Sequence, residues 1–142
     1  LNDDINGLEV LDMGCGTSIL AILARMRGAK HCVGIDVDEW CVKNSRENIA
    51  LNHLDGIDVE LGDASSLASK GPFDLVIANI NLGILLNDLK YYVPRMKQGA
   101  YIYMSGFYDT DIPQLVAEAE KQGLKLVDEH VLDGWACLKL QK

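Results

Sequence analysis

The feature that most constrains this chain is an apolar run, Leu8 to Met13, that carries Asp12 and ends in Gly14-Cys15-Gly16-Thr17-Ser18. Beyond it Ile19, Ile22, Leu23 and Met26 recur at helical spacing until Gly28. The pattern predicts a strand, a tight turn and a helix packed through that stripe. Gly14 and Gly16 permit backbone conformations denied to other residues and let a ligand come close to the chain, while the first turn of the helix offers N–H groups without internal partners.

The same alternation continues. Cys32 to Ile35 reads as a second strand, and Asp38 as the N-cap of a helix running to about His53. Ile57, Val59 and Leu61 alternate as a third strand, and Phe73 to Ala78 follows the Gly71-Pro72 turn as a fourth. Leu82 to Tyr92 reads as a helix, Ala100 to Met104 as a fifth strand, and Ile112, Leu115, Val116 and Ala119 as the apolar stripe of a helix ending at Gly123. Leu124 to Val127 and Trp135 to Leu140 are the last two strands, joined through the hairpin pair Asp133-Gly134. Strands alternating with helices require right-handed crossovers, hence an α/β fold: a mostly parallel sheet with helices on both faces and one antiparallel strand from the terminal hairpin. With 142 residues, 49% hydrophobic and 24% charged, one domain spanning 1–142 is expected.

Ligands of such sheets sit at the carboxyl ends of the strands. A dinucleotide loop would carry a third glycine three residues after Gly16, where this chain has Ile19. Asp12 would repel a pyrophosphate but suits the ammonium group of a methionine moiety. The loop therefore favours S-adenosyl-L-methionine. Asp36 ends the second strand twenty residues after Gly16, where a carboxylate can accept from both ribose hydroxyls. Asp63, in Gly62-Asp63-Ala64, is placed to meet the adenine amino group. Asn79 ends the fourth strand and could accept a hydrogen bond from an incoming amine. Each also has a plain structural alternative: a turn for the glycines and Asp63, a solvated acid for Asp36, a cap for Asn79. Asn81 and Asp38 read as helix caps.

Other features exclude or weaken function classes. The net charge of −8 disfavours a nucleic-acid partner and fits a cationic substrate or simple solubility. No run approaches the roughly 18 to 20 apolar residues of a membrane helix, and Leu1-Asn2-Asp3-Asp4 lacks the layout of a signal peptide, so a cytoplasmic protein is expected. Cys15, Cys32, Cys41 and Cys137 form no Cys-x-x-Cys pair and share no ligand spacing with His31, His53 or His130; they read as free thiols with no metal site. Trp40, Trp135, Tyr91 and Tyr92 read as packing residues. Phe107 and Tyr108 follow the fifth strand and either cover a substrate or pack.

The runs Val10 to Ile22, Gly28 to Asp38 and Ala78-Asn79-Ile80, with Met104-Ser105-Gly106 and Gly134-Trp135-Ala136-Cys137-Leu138, resemble the ribosomal protein L11 methyltransferase family, PrmA. The resemblance covers nearly the whole chain and implies the Rossmann-like class I methyltransferase fold with a seven-stranded sheet. It implies that Gly14, Asp36 and Asn79 contact S-adenosyl-L-methionine, and that methyl groups pass to lysines and the terminal amine of ribosomal protein L11. Ser18 departs from the glycine usual in the family loop. The family's small substrate-binding domain and a Gly-rich segment with a cofactor-contacting threonine precede this domain and are not within residues 1–142, and residue 1 is Leu, so a fragment is expected. The competing expectations are a methyltransferase acting on another protein's lysines or on a small molecule, and a cofactor-binding module without activity.

Overall fold

Val10 and Leu11 are neighbours in sequence, point to opposite faces of a strand, and are both fully buried. A strand apolar on both sides needs cover on both sides. The computed structural model, which describes residues 4–142, supplies it. Strands β1 (Glu9–Met13), β2 (His31–Asp36), β3 (Ile57–Leu61), β4 (Phe73–Asn79), β5 (Met96–Tyr108), β6 (Lys125–Leu132) and β7 (Trp135–Gln141) form one sheet ordered β3-β2-β1-β4-β5-β7-β6. Neighbouring strands from β3 to β5 pair parallel; β7 runs antiparallel to both β5 and β6.

The helices are α1 (Ile19–Met26), α2 (Glu39–Leu51), α3 (Leu82–Tyr92) and α4 (Ile112–Lys121). Leu85 and Leu89 of α3 and Leu115 and Ala119 of α4 pack with Leu11, Val76, Ile102, Met104, Leu138 and Leu140 into the main core. On the other face Ala21 and Ala24 of α1 meet Val10, Cys32, Leu75 and Ile77. Here the expected stripe is corrected. Ile19 and Met26 are 67% and 66% exposed, and α1 seats itself through Ala21, Ile22 and Ala24. Alanines let a helix axis lie close to a sheet, so small residues outcompete the larger ones for the buried side.

Asp38 caps α2 by accepting from the Trp40 N–H at 2.8 Å, and Asn81 caps α3 by accepting from the Ile84 N–H at 3.0 Å. Both were expected. Two strands run longer than their apolar patterns. β5 extends well past Ala100 and Met104, and β6 past Val127, because pairing with β7 carries the ladder through register shifts at Ser105/Phe107 and Leu126/Asp128. Leu124 lies outside β6, its N–H closing the end of α4 on the Ala119 carbonyl. Ala64–Ser69, capped by Asp63, forms a short 3-10 segment, the turn that the sequence offered for Asp63 as the structural alternative, and Asp109–Asp111 forms another that no sequence pattern indicated.

Candidate functional site at the carboxyl edge

The strand order turns between β1 and β4, which opens a crevice at the carboxyl ends of these strands. The loop after β1 lies there. Gly14 and Gly16 both take positive φ, 67° and 57°. A Cβ on Gly14 would stand 3.0 Å from Ile80 Cγ1, so that glycine lets the loop lie against the chain leaving β4. Ser18 also sits in the left-handed region, at φ 65° and ψ 23°, fully buried, with no hydrogen-bond partner for its Oγ. The departure from glycine is thus accommodated, at a conformational cost of about 1 kcal/mol.

Hydrogen bonds to β2 and α2 hold the loop. The Gly14 N–H donates to the Ile35 carbonyl at 2.8 Å and the Gly16 N–H to Asp36 Oδ2 at 3.0 Å. From α2, the Ser45 hydroxyl donates to the Gly16 carbonyl at 2.6 Å and the Asn48 amide to the Thr17 carbonyl at 3.1 Å. Ser45 and Asn48 were not anticipated. They are unremarkable polar residues of a polar helix, and only the packing of α2 gives them this task.

Beneath the loop lies Asp12, 2% exposed, with Oδ2 lacking any hydrogen-bond partner. Burial pushes its carboxyl up to about 7; the Ala21 N–H pulls it back and the charge of Asp36 pushes it further up. An orphaned buried carboxylate oxygen is costly unless a donor or cation completes it. The site therefore fits a cationic ligand group.

Asp36, at the end of β2, uses Oδ2 on the Gly16 N–H and Oδ1 on the Asp38 N–H, 3.0 Å each. Each carboxylate oxygen retains a second lone pair for an outside donor. Asp63 is joined to this group through the Gly62 N–H, which donates to the Asp36 carbonyl at 2.9 Å. The Asp63 carboxylate caps the following 3-10 turn, accepting from the N–H and hydroxyl of Ser65, which hold its carboxyl below the ordinary value. Asn79 is exposed at the end of β4 and pairs with Ser105 of β5. Next to Ser105, Gly106 has φ 97°, and a Cβ there would lie 2.7 Å from the Ile80 carbonyl oxygen and 3.1 Å from Asn79 Oδ1. Gly106 and Ile80 thus pack the wall around Asn79, a role the sequence did not reveal.

The six residues Asp12, Gly14, Gly16, Asp36, Asp63 and Asn79 all lie along one edge, and three of them, Asp12, Asp36 and Asp63, are acids. Among the described residues no group of three His, Cys, Asp or Glu is arranged for a metal ion, and no helix is long and apolar enough to cross a membrane. All four cysteines are free thiols, two of them buried. The aromatic residues need correction. Tyr92 is buried, but Trp40 and Trp135 are 65% and 53% exposed, and Phe107 enters the core while Tyr108 does not.

Comparison with known proteins extends this geometry. The family profile described as ribosomal protein L11 methyltransferase (PrmA) matches residues 2–142. A ribosomal protein L11 methyltransferase of Bacteroides thetaiotaomicron is 60% identical over 139 residues, 98% of this chain and 50% of that protein. The chain thus spans about half the length of the curated relatives it matches. Among solved structures, a ribosomal protein L11 methylase from Lactobacillus delbrueckii subsp. bulgaricus superposes with TM-score 0.91 at 25% identity, over 97% of this chain and 71% of that one. An S-adenosylmethionine dependent methyltransferase from Mesorhizobium loti has TM-score 0.84 at 13% identity, covering 99% and 93%, which is a likeness of fold.

Proposed function

Because this chain belongs to the ribosomal protein L11 methyltransferase family, we propose that its carboxyl edge binds S-adenosyl-L-methionine and carries the methyl-transfer half of an enzyme acting on ribosomal protein L11. The observation that carries the reading is the unpartnered, buried Oδ2 of Asp12 beneath the glycine loop. It calls for a cation where a phosphate would be repelled. In this reading residues 1–142 are the cofactor domain, substrate recognition belongs in part to the remaining half that the relatives carry, and the protein works in the cytoplasm.

When bound, the cofactor supplies a methyl group already activated on a sulfonium. The chain's own residues then bind and orient. Asp12 holds the ammonium group, Gly14 and Gly16 admit the methionine portion against the backbone, Asp36 accepts from the ribose hydroxyls, and Asp63 faces the adenine amino group. Asn79 accepts a hydrogen bond from the acceptor amine through Oδ1 and aims its lone pair. The acceptors are lysine side chains and the terminal amine of L11. A lysine must arrive neutral, and desolvation beside a positive charge lowers its pKa from about 10.4. Orientation alone can contribute on the order of 7 to 11 kcal/mol.

Isothermal calorimetry of this chain with S-adenosyl-L-methionine and, separately, with NAD tests the reading. Micromolar binding of the former alone is expected; binding of NAD alone would sink it. Because fold does not fix the acceptor, methyl transfer to purified L11 by the full-length protein decides between L11 and another protein lysine or a small molecule, and its absence with every acceptor would leave a binding module.

A further inference from the structure

Tyr108 ends β5, Trp135 begins β7, and the two are paired across the antiparallel ladder. Their rings stack with centroids 4.4 Å apart at 27°, yet each residue remains 53% exposed. Core packing does not account for them. The register shift between Ser105 and Phe107 sends Phe107 into the core and leaves Tyr108 outside. The stack shares the carboxyl edge with Asn79: Ser105 pairs with Asn79, Gly106 packs against it, and Tyr108 stands two residues further along the same strand.

Its frame is hydrogen-bonded and acidic. The Asp109 N–H donates to the Gly134 carbonyl at 2.8 Å, tying the end of β5 to the β6–β7 turn, and the Tyr108 N–H donates to Asp111 Oδ2 at 3.1 Å. Asp133 forms the turn itself at φ 51°. Neither 105–120 nor 126–138 contains a lysine or arginine. Electron-rich ring faces edged by carboxylates attract a cation.

We propose that the Tyr108–Trp135 stack is the platform on which the charged, amine-bearing side chain of the methyl acceptor docks before it reaches Asn79. The inference rests on the methyltransferase reading above and deepens it. The pair positions the acceptor and has no part in the chemical step.

The test is a titration of the ¹⁵N-labelled chain with Nα-acetyl-lysine methylamide and with its uncharged Nε-acetyl counterpart, following the two tryptophan indole signals by NMR. Expected is a saturable millimolar shift of Trp135 with the cation, little with the neutral probe, none at Trp40, and loss of the effect in Tyr108→Ala. No shift at Trp135, or equal shifts with both probes, overturns the proposal. In methyl transfer by the full-length protein, Trp135→Ala should raise KM for the acceptor about tenfold with the Kd of S-adenosyl-L-methionine unchanged, and Trp135→Phe should restore most of it. A fall in kcat at constant KM would also overturn it. Failure of the underlying reading shows separately, as absent calorimetric binding of the cofactor by the unsubstituted chain.

Discussion

Replacing Asp12 by Asn separates what that carboxylate does for the fold from what it does for a ligand. In the folded chain its carboxyl is pushed up to about 7 from 3.8, chiefly by burial. The raised value means that the folded state holds the proton more tightly than the unfolded state does. Stability from this group is therefore full below about 3.8, declines as pH rises, and is lost above about 7. At 1.36 kcal/mol per unit the whole span is worth about 4 kcal/mol, and the interval from pH 5 to pH 8 about 2.5 kcal/mol. Asn is nearly isosteric and does not titrate. Thermal melts of both proteins without ligand, from pH 5 to pH 8, should show the Asn variant gaining on the parent by roughly 8 °C across that range, at about 3 °C per kcal/mol for a domain of this size. The same variant should bind S-adenosyl-L-methionine at least tenfold more weakly, because the ammonium loses its charged partner. Melting curves that stay parallel at every pH would refute the argument that Asp12 ionises at an energetic cost in the ligand-free fold.

Other substitutions probe the rest of the edge. Asp36→Ala removes the acceptor of the Gly16 and Asp38 N–H groups together with the ribose contact proposed for it; cofactor affinity should drop by about 100-fold with a loss of only about 1 to 2 kcal/mol in stability, and undiminished affinity by calorimetry would end the ribose assignment. Asn79→Ala should lower turnover of the full-length protein more than cofactor affinity, and equal rates would remove Asn79 from the reaction. Ser18→Gly relieves a left-handed serine and a buried unpaired hydroxyl, so chemical denaturation should show a gain of about 1 kcal/mol; a loss would mean that Oγ is doing something in the loop. Gly106→Ala drives a Cβ to within 2.7 Å of the Ile80 carbonyl oxygen, and should destabilise by about 2 kcal/mol or more and weaken the site around Asn79, both readable in the same denaturation and calorimetry.

The glycine loop, Asp12 and Asp36 could be placed from sequence because each stands at the end of an apolar run, and a run ending at a strand terminus has few places to put its next residue. Parallel pairing then brought Asp12, Asp36, Asp63 and Asn79 to one edge without further information. What resisted reading depended on tertiary packing. The buried side of α1 follows from how close Ala21 and Ala24 allow it to approach, which hydrophobicity alone ranks wrongly. Ser45 and Asn48 reach the loop only because α2 lies over it. A tryptophan on a strand reads as packing, yet Trp135 is the first residue of β7 and is exposed there.

The place of β7 inside the sheet has a consequence for how the molecule is made. β6 is synthesised first but pairs only with β7, and β5 waits from Tyr108 until Trp135 emerges before its second edge is covered. During that interval two strands with unsatisfied backbone groups are exposed to pairing with other chains. Insertion of β7 then completes both ladders and brings Tyr108 and Trp135 together in one long-range event.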